Sequence, residues 1–352
     1  MAPGAAAPRP RGRAKWKAAS LLPALACLFI PGFKASNTDD ELKPPPIPHL
    51  TIASPDVFAD VWKVEKTGDF ETYSNGLRID NRYAVSNEPR TPYPVFQSPG
   101  SDRSQSDLRV QPAGIVYHTT ESDQASFEEN QNIALKRIGK EVLTYVKRNH
   151  CYHFLIDRFG QVFRIVEESD VAYHAGYSVW ADSSAIYVNL NTSFLGIAFE
   201  TQTLPDEMPS ANPAQIHAAR VLTQMLRSKY RIPEANCVTH AQVSVNPDNM
   251  LVGYHTDWAG NFPFLEVGLN DNYAAPPASI YAFGFDYNPV FVHKTGFRLW
   301  QGLAVAEDQL RTQAAAQGLR LAPYRTMLRK KYKEIITTLK AASDAKEERH
   351  AT

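Results

Sequence analysis

The chain has no excess charge of either sign: 37 lysines and arginines balance 37 aspartates and glutamates over 352 residues. Without a one-signed field, nothing draws a nucleic acid or a strongly acidic partner to its surface. Cysteine is scarce, with three residues in all, so the set cannot pair completely within one chain. Cys27 lies in an N-terminal apolar stretch. That leaves Cys151 and Cys237, either as one disulfide in an exported protein or as buried free thiols, and neither spacing is that of a cysteine zinc site. The apolar stretch from Ala18 to Phe33 is too short to span a membrane easily. Hydrophobic residues nevertheless make up 43% of the chain, ample for a packed core.

The first 40 residues read as an export signal. Arg9, Arg11, Arg13, Lys15 and Lys17 form a basic region, the apolar stretch follows, and Asn37-Thr38-Asp39-Asp40 lie beyond it. Cys27 after Ala24-Leu25-Ala26 is similar to a bacterial lipidation site, but the apolar run continues past it through Leu28-Phe29-Ile30. Residues 41–111 read as a proline-containing linker and extension. The opening ELKPPPIPHL is semi-rigid, and the rest is polar and turn-rich, with strand-like pieces such as Asp60-Val61-Trp62-Lys63-Val64.

A core domain is expected over 112–265. Strands are read at Gly114–His118, Tyr152–Ile156, Gln161–Val166 and Phe194–Glu200, the middle two forming a hairpin across Asp157-Arg158-Phe159-Gly160. A helix is expected over Ser126–Asn149, its buried face carrying Phe127, Ala134, Leu135, Ile138, Val142, Tyr145 and Val146. A second runs from Pro213, a residue suited to a first helical turn, to Tyr230. Strands alternating with long helices predict an α/β fold, a central mixed sheet flanked by helices. Residues 266–352 read as a C-terminal extension, largely helical and basic, with a helix pair over about 303–345.

Three segments carry chemistry. His118 ends the first core strand, His240 follows Cys237-Val238-Thr239, and Asp257 lies in Tyr254-His255-Thr256-Asp257-Trp258. Each has a bland reading: a surface or capping histidine, a solvated loop aspartate. Together, two imidazoles and a carboxylate are the ligand set of a catalytic zinc site with an open position, and such a site makes water a usable nucleophile near neutral pH.

With IVYHTT, YHFLIDRFGQVFRI, YHAG, FLGIAFE and VTHAQV…YHTDWAGNFPF in this order, residues 112–264 resemble the zinc-dependent N-acetylmuramoyl-L-alanine amidases related to phage T7 lysozyme, AmpD-type amidases and peptidoglycan recognition proteins. The resemblance implies one zinc ion held by His118, His240 and Asp257. His255 falls where the family places a group that donates to the oxyanion, or else it orients Asp257 or serves as a fourth ligand that would close the site. Tyr152 matches a tyrosine that lines the site, and His174 a substrate-binding position bordering the cleft near the sugar–peptide junction. The general-base position of AmpD-type members holds Ala198 here. Glu200, two residues on and facing the same side, or Tyr152 with His255, is left to move the protons. The implied partner is peptidoglycan or a muropeptide, met in the periplasm, cell envelope or outside the cell, with membrane contact only through the N-terminal segment. Some relatives bind peptidoglycan without cutting it, so the alternative is a non-catalytic binding or wall-anchoring module.

Overall fold

Six consecutive buried residues, Gly114–Thr119, form the strand on which the architecture is built. Phe194–Phe199 pairs with it in parallel on one side and Cys237–Thr239 on the other. A parallel strand covered on both faces needs apolar residues at nearly every position, which is why Gly-Ile-Val-Tyr precedes His118. The computed structural model describes residues 56–97, 107–203, 211–295 and 298–350. The export segment expected at 1–40 lies outside these. Among the described residues, no helix is long and apolar enough to cross a membrane.

Beyond Phe194–Phe199 the sheet continues through Phe154–Ile156, in parallel, and its antiparallel hairpin partner Val162–Arg164. Arg78–Asp80, Phe70–Tyr73 and Lys63–Thr67 then extend it to eight strands. Residues 63–80 are therefore part of the main sheet. Pro94 and Leu108 lie on two further strands of a smaller four-stranded sheet, completed by Val179–Ala181 and Ile186–Val188.

Helices cover both faces. Leu135, Ile138, Val142, Leu143 and Val146 of Asn132–Arg148 pack with Leu155, Phe163 and Ala198. On the other face, Ala218, Leu222, Met225 and Leu226 of Pro213–Tyr230 pack with Ile115, Tyr117, Phe154 and Ile197. The second helix starts sharply because Asn212 accepts from the N–H groups of Ala214 and Gln215 while the Gln215 side chain returns to the Asn212 N–H. The first helix begins later than its pattern predicts, after a single 3-10 turn at Glu129–Gln131. Phe127 consequently lies outside it, 54% exposed, against Phe159. Tyr145 also faces outward.

The helices Trp300–Ala316 and Leu321–His350 extend the core rather than trail from it. Leu303, Leu310, Tyr324, Tyr332 and Ile336 are buried in the same apolar cluster as Leu222 and Ile197.

Candidate metal centre

Neighbouring parallel strands end together, and this sets the site. His118 is the fifth residue of its strand and His240 immediately follows Cys237–Thr239. Their rings leave the sheet edge side by side, with centroids 4.4 Å apart. A short helix, His240–Val243, turns the chain away, held by the Gln242 side chain on the Thr239 N–H at 2.9 Å. Asp257 arrives on a loop whose next residue, Trp258, is fully buried with φ +57°. The Asp257 carbonyl accepts the Ala241 N–H, which ties that loop to the turn bearing His240.

The three side chains converge. Asp257 Oδ2 lies 3.2 Å from His118 Nδ1 and Oδ1 lies 2.9 Å from His240 Nδ1. One ligand atom from each of His118, His240 and Asp257 lies within 4.8 Å of the others, and all three residues are buried. Burial, with His240 beside it, pushes His118 down to about 4 against the pull of Asp257, so its ring is neutral at pH 7. Burial alone would raise Asp257, but the two histidines turned towards it hold it well below the usual carboxylate range. A neutral imidazole at His118, a second imidazole at His240 and an ionised carboxylate at Asp257 make a donor set that suits zinc.

Around this group stand the other expected residues. Tyr152 lies in the left-handed region, φ +55°, and brings its ring to 5.0 Å from that of His118. Its strand begins only at Phe154, so strand alternation does not govern it. Burial keeps its hydroxyl protonated, well above the ordinary value. It also lines a cleft of about 720 Å³ with Arg137, Lys140, Tyr145 and Arg148. His255 lies on the outer side of His240, rings 4.6 Å apart and 19° from parallel. Loss of water against its neighbours, with His240 adjacent, pushes it down to about 4, leaving a neutral N–H.

Glu200 is buried one residue beyond its strand. Ala198 pairs in register with His118, so Glu200 lies on the same face one pleat further along. Its Oε2 accepts the Arg158 N–H at 3.3 Å, and burial lifts its pKa to about 7.

His174 differs from expectation. Instead of lining the cleft surface it is buried behind His118, its Nδ1 3.1 Å from His118 Nε2 and its Nε2 3.3 Å from the Phe194 carbonyl. Two supporting residues escaped the sequence reading. Asn191 Oδ1 accepts the N–H groups of His174, Ala175 and Gly176 at 2.9, 2.7 and 2.9 Å. Gly196 leaves room for the His174 ring, since a Cβ there would sit 2.6 Å from its Cγ. A glycine inside an apolar strand is a sign of such close approach; nothing in the sequence singles out Asn191. Cys151 and Cys237 are free thiols, the latter fully buried.

Residues 108–257 match the family model described as N-acetylmuramoyl-L-alanine amidase, a span that closes on the third member of the metal group. Over that span the chain is similar to an amidase domain. The match supports hydrolysis of a peptidoglycan amide. Solved structures similar to the chain include the N-acetylmuramoyl-L-alanine amidase LysC from Clostridium intestinale, at 23% identity over 54% of this chain and 93% of that one, TM-score 0.29. Another is AmiD from E. coli, solved with an anhydro-N-acetylmuramic acid peptide, at 19% identity over 58% and 85%, TM-score 0.36. A third is the drosophila peptidoglycan recognition protein SD, at 18% identity over 46% and 84%, TM-score 0.28. Comparison with curated proteins gave no match.

Proposed function

We propose that the amidase is zinc-dependent, with His118, His240 and Asp257 as its ligands and peptidoglycan or a released muropeptide as substrate. The convergence of these three buried side chains within one ion's reach carries the reading. Zinc held there would supply Lewis acidity and a nucleophile at neutral pH. The protein's own groups do the rest. Glu200, with a carboxyl near 7, takes the proton of the attacking water and delivers it to the leaving L-alanine nitrogen. The Tyr152 hydroxyl orients the scissile carbonyl from beside His118. His255 donates its neutral N–H to the oxyanion as the carbonyl is attacked. We place the enzyme outside the cytoplasm on the strength of the basic and apolar N-terminal segment.

The test is mass analysis of products released from purified sacculi. Free stem peptides, lost on chelation and restored by zinc, are expected, and His240→Ala should lose zinc and activity together. Undiminished wall binding with no released peptide, from zinc-loaded protein, would sink the enzymatic reading and leave the binding module.

A further inference from the structure

We propose that His174 is a positioning residue for the metal: it fixes the tautomer of His118, so that Nδ1 is the ligating nitrogen. The proposal rests on the assignment of His118, His240 and Asp257 as ligands. A carbonyl oxygen only accepts, so the 3.3 Å contact with the Phe194 carbonyl places a proton on His174 Nε2. A neutral imidazole has only one, which leaves His174 Nδ1 as an acceptor. The atom facing it, 3.1 Å away, is His118 Nε2. His118 therefore donates from Nε2, and its lone pair falls on Nδ1, the nitrogen turned towards Asp257. Ligating histidines commonly donate their second N–H to a carboxylate or carbonyl; here the acceptor is another imidazole, and the backbone ends the chain.

The surroundings are built for this ring. Asn191 binds the backbone N–H of His174 and of the next two residues. Gly196 supplies the space, and its own N–H is taken by His153 Nδ1 at 3.0 Å. His153 donates its Nε2–H to the Asp170 carbonyl at 3.2 Å. Two histidines thus back onto the same glycine, and only His174 is turned to the metal group.

The experiment uses the full chain, stripped of metal and titrated with zinc against a chromogenic chelator. His174→Phe removes both ring nitrogens and should weaken zinc binding roughly 10–100-fold. His174→Asn keeps an acceptor near the Nδ1 position and should recover most of the loss. Nitrogen-15 NMR of the zinc-loaded wild type should show His118 protonated at Nε2 and metallated at Nδ1. A folded His174→Phe protein that binds zinc as tightly as wild type overturns the proposal. So does metallation of Nε2, which is read without any variant and decides the matter if His174→Phe does not fold. Wild type that binds no zinc at all overturns the ligand assignment instead. No arm depends on turnover.

Discussion

The imidazole of His255 lies over that of His240, 4.6 Å between centroids and 19° from parallel, with Tyr254 edge-on at 4.7 Å from His255. The stack holds a neutral N–H donor beside the metal group without adding a fourth arm to it. Substituting His255→Ala should leave zinc stoichiometry near one while lowering kcat by about 10²–10³-fold, the usual loss for one oxyanion donor. Metal analysis and steady-state kinetics on the same preparation separate these effects. Loss of zinc alongside activity would instead make His255 a ligand.

Glu200 combines burial with few hydrogen bonds, and this predicts two outcomes. If it moves the protons, Glu200→Gln keeps zinc and loses at least ~100-fold in turnover; near-normal turnover would shift that role to Tyr152.

The second outcome concerns stability. The folded-state pKa is raised from 4.5 to about 7, so the native state holds this proton more tightly than the unfolded chain. Its stabilisation is complete below about 4.5 and disappears as pH climbs through 7, on the order of 2–3 kcal/mol in all. Urea midpoints measured from pH 4 to pH 8 should fall across that window in the wild type, and Glu200→Gln should flatten the fall.

Asn191 accepts three backbone N–H groups with one oxygen. Replacing it by Ala leaves donors around His174 without their partner, at a cost of about 1–3 kcal/mol. Chemical denaturation should register that loss. Zinc affinity should fall with it, because the loop that presents His174 loosens.

Tyr332 is fully buried, and its hydroxyl donates to the Tyr177 carbonyl at 2.9 Å, in the loop just beyond His174. Tyr332→Ala should destabilise the fold by about 3–5 kcal/mol, as for other large aromatic truncations. Removing 303–352 should prevent soluble expression altogether, since it strips Leu303, Leu310 and Tyr324 from the core. A soluble, cooperatively melting truncation would show the helices to be dispensable.

How much of this was legible beforehand depended on which side chains announced their surroundings. The grouping of His118, His240 and Asp257 could be expected because two imidazoles at the ends of apolar strands and a loop carboxylate have few bland explanations once all three coincide. The helix from Pro213 was readable because its cap is written in adjacent residues. The strand Lys63–Thr67 was legible only at its first two residues, within the strand-like piece Asp60–Val64, since every residue is exposed and the alternation that marks a half-buried strand is missing. His174 was misplaced because it sits on a loop, where no periodicity says which way a ring points. Spacing places Phe127 on a buried helical face, but the helix starts after it and the exposed ring rests against Phe159 and Arg158 instead.

The convergence of His118, His240 and Asp257 has a mechanical side as well. His118 lies on one strand, His240 directly follows its neighbour and Asp257 lies on a distant loop, so an ion shared among them is also a cross-link that only the folded chain can make. A ligand that binds the native state alone stabilises it in proportion to the logarithm of its concentration. With zinc bound there as proposed, metal supply would therefore set resistance to heat and to proteolysis along with turnover.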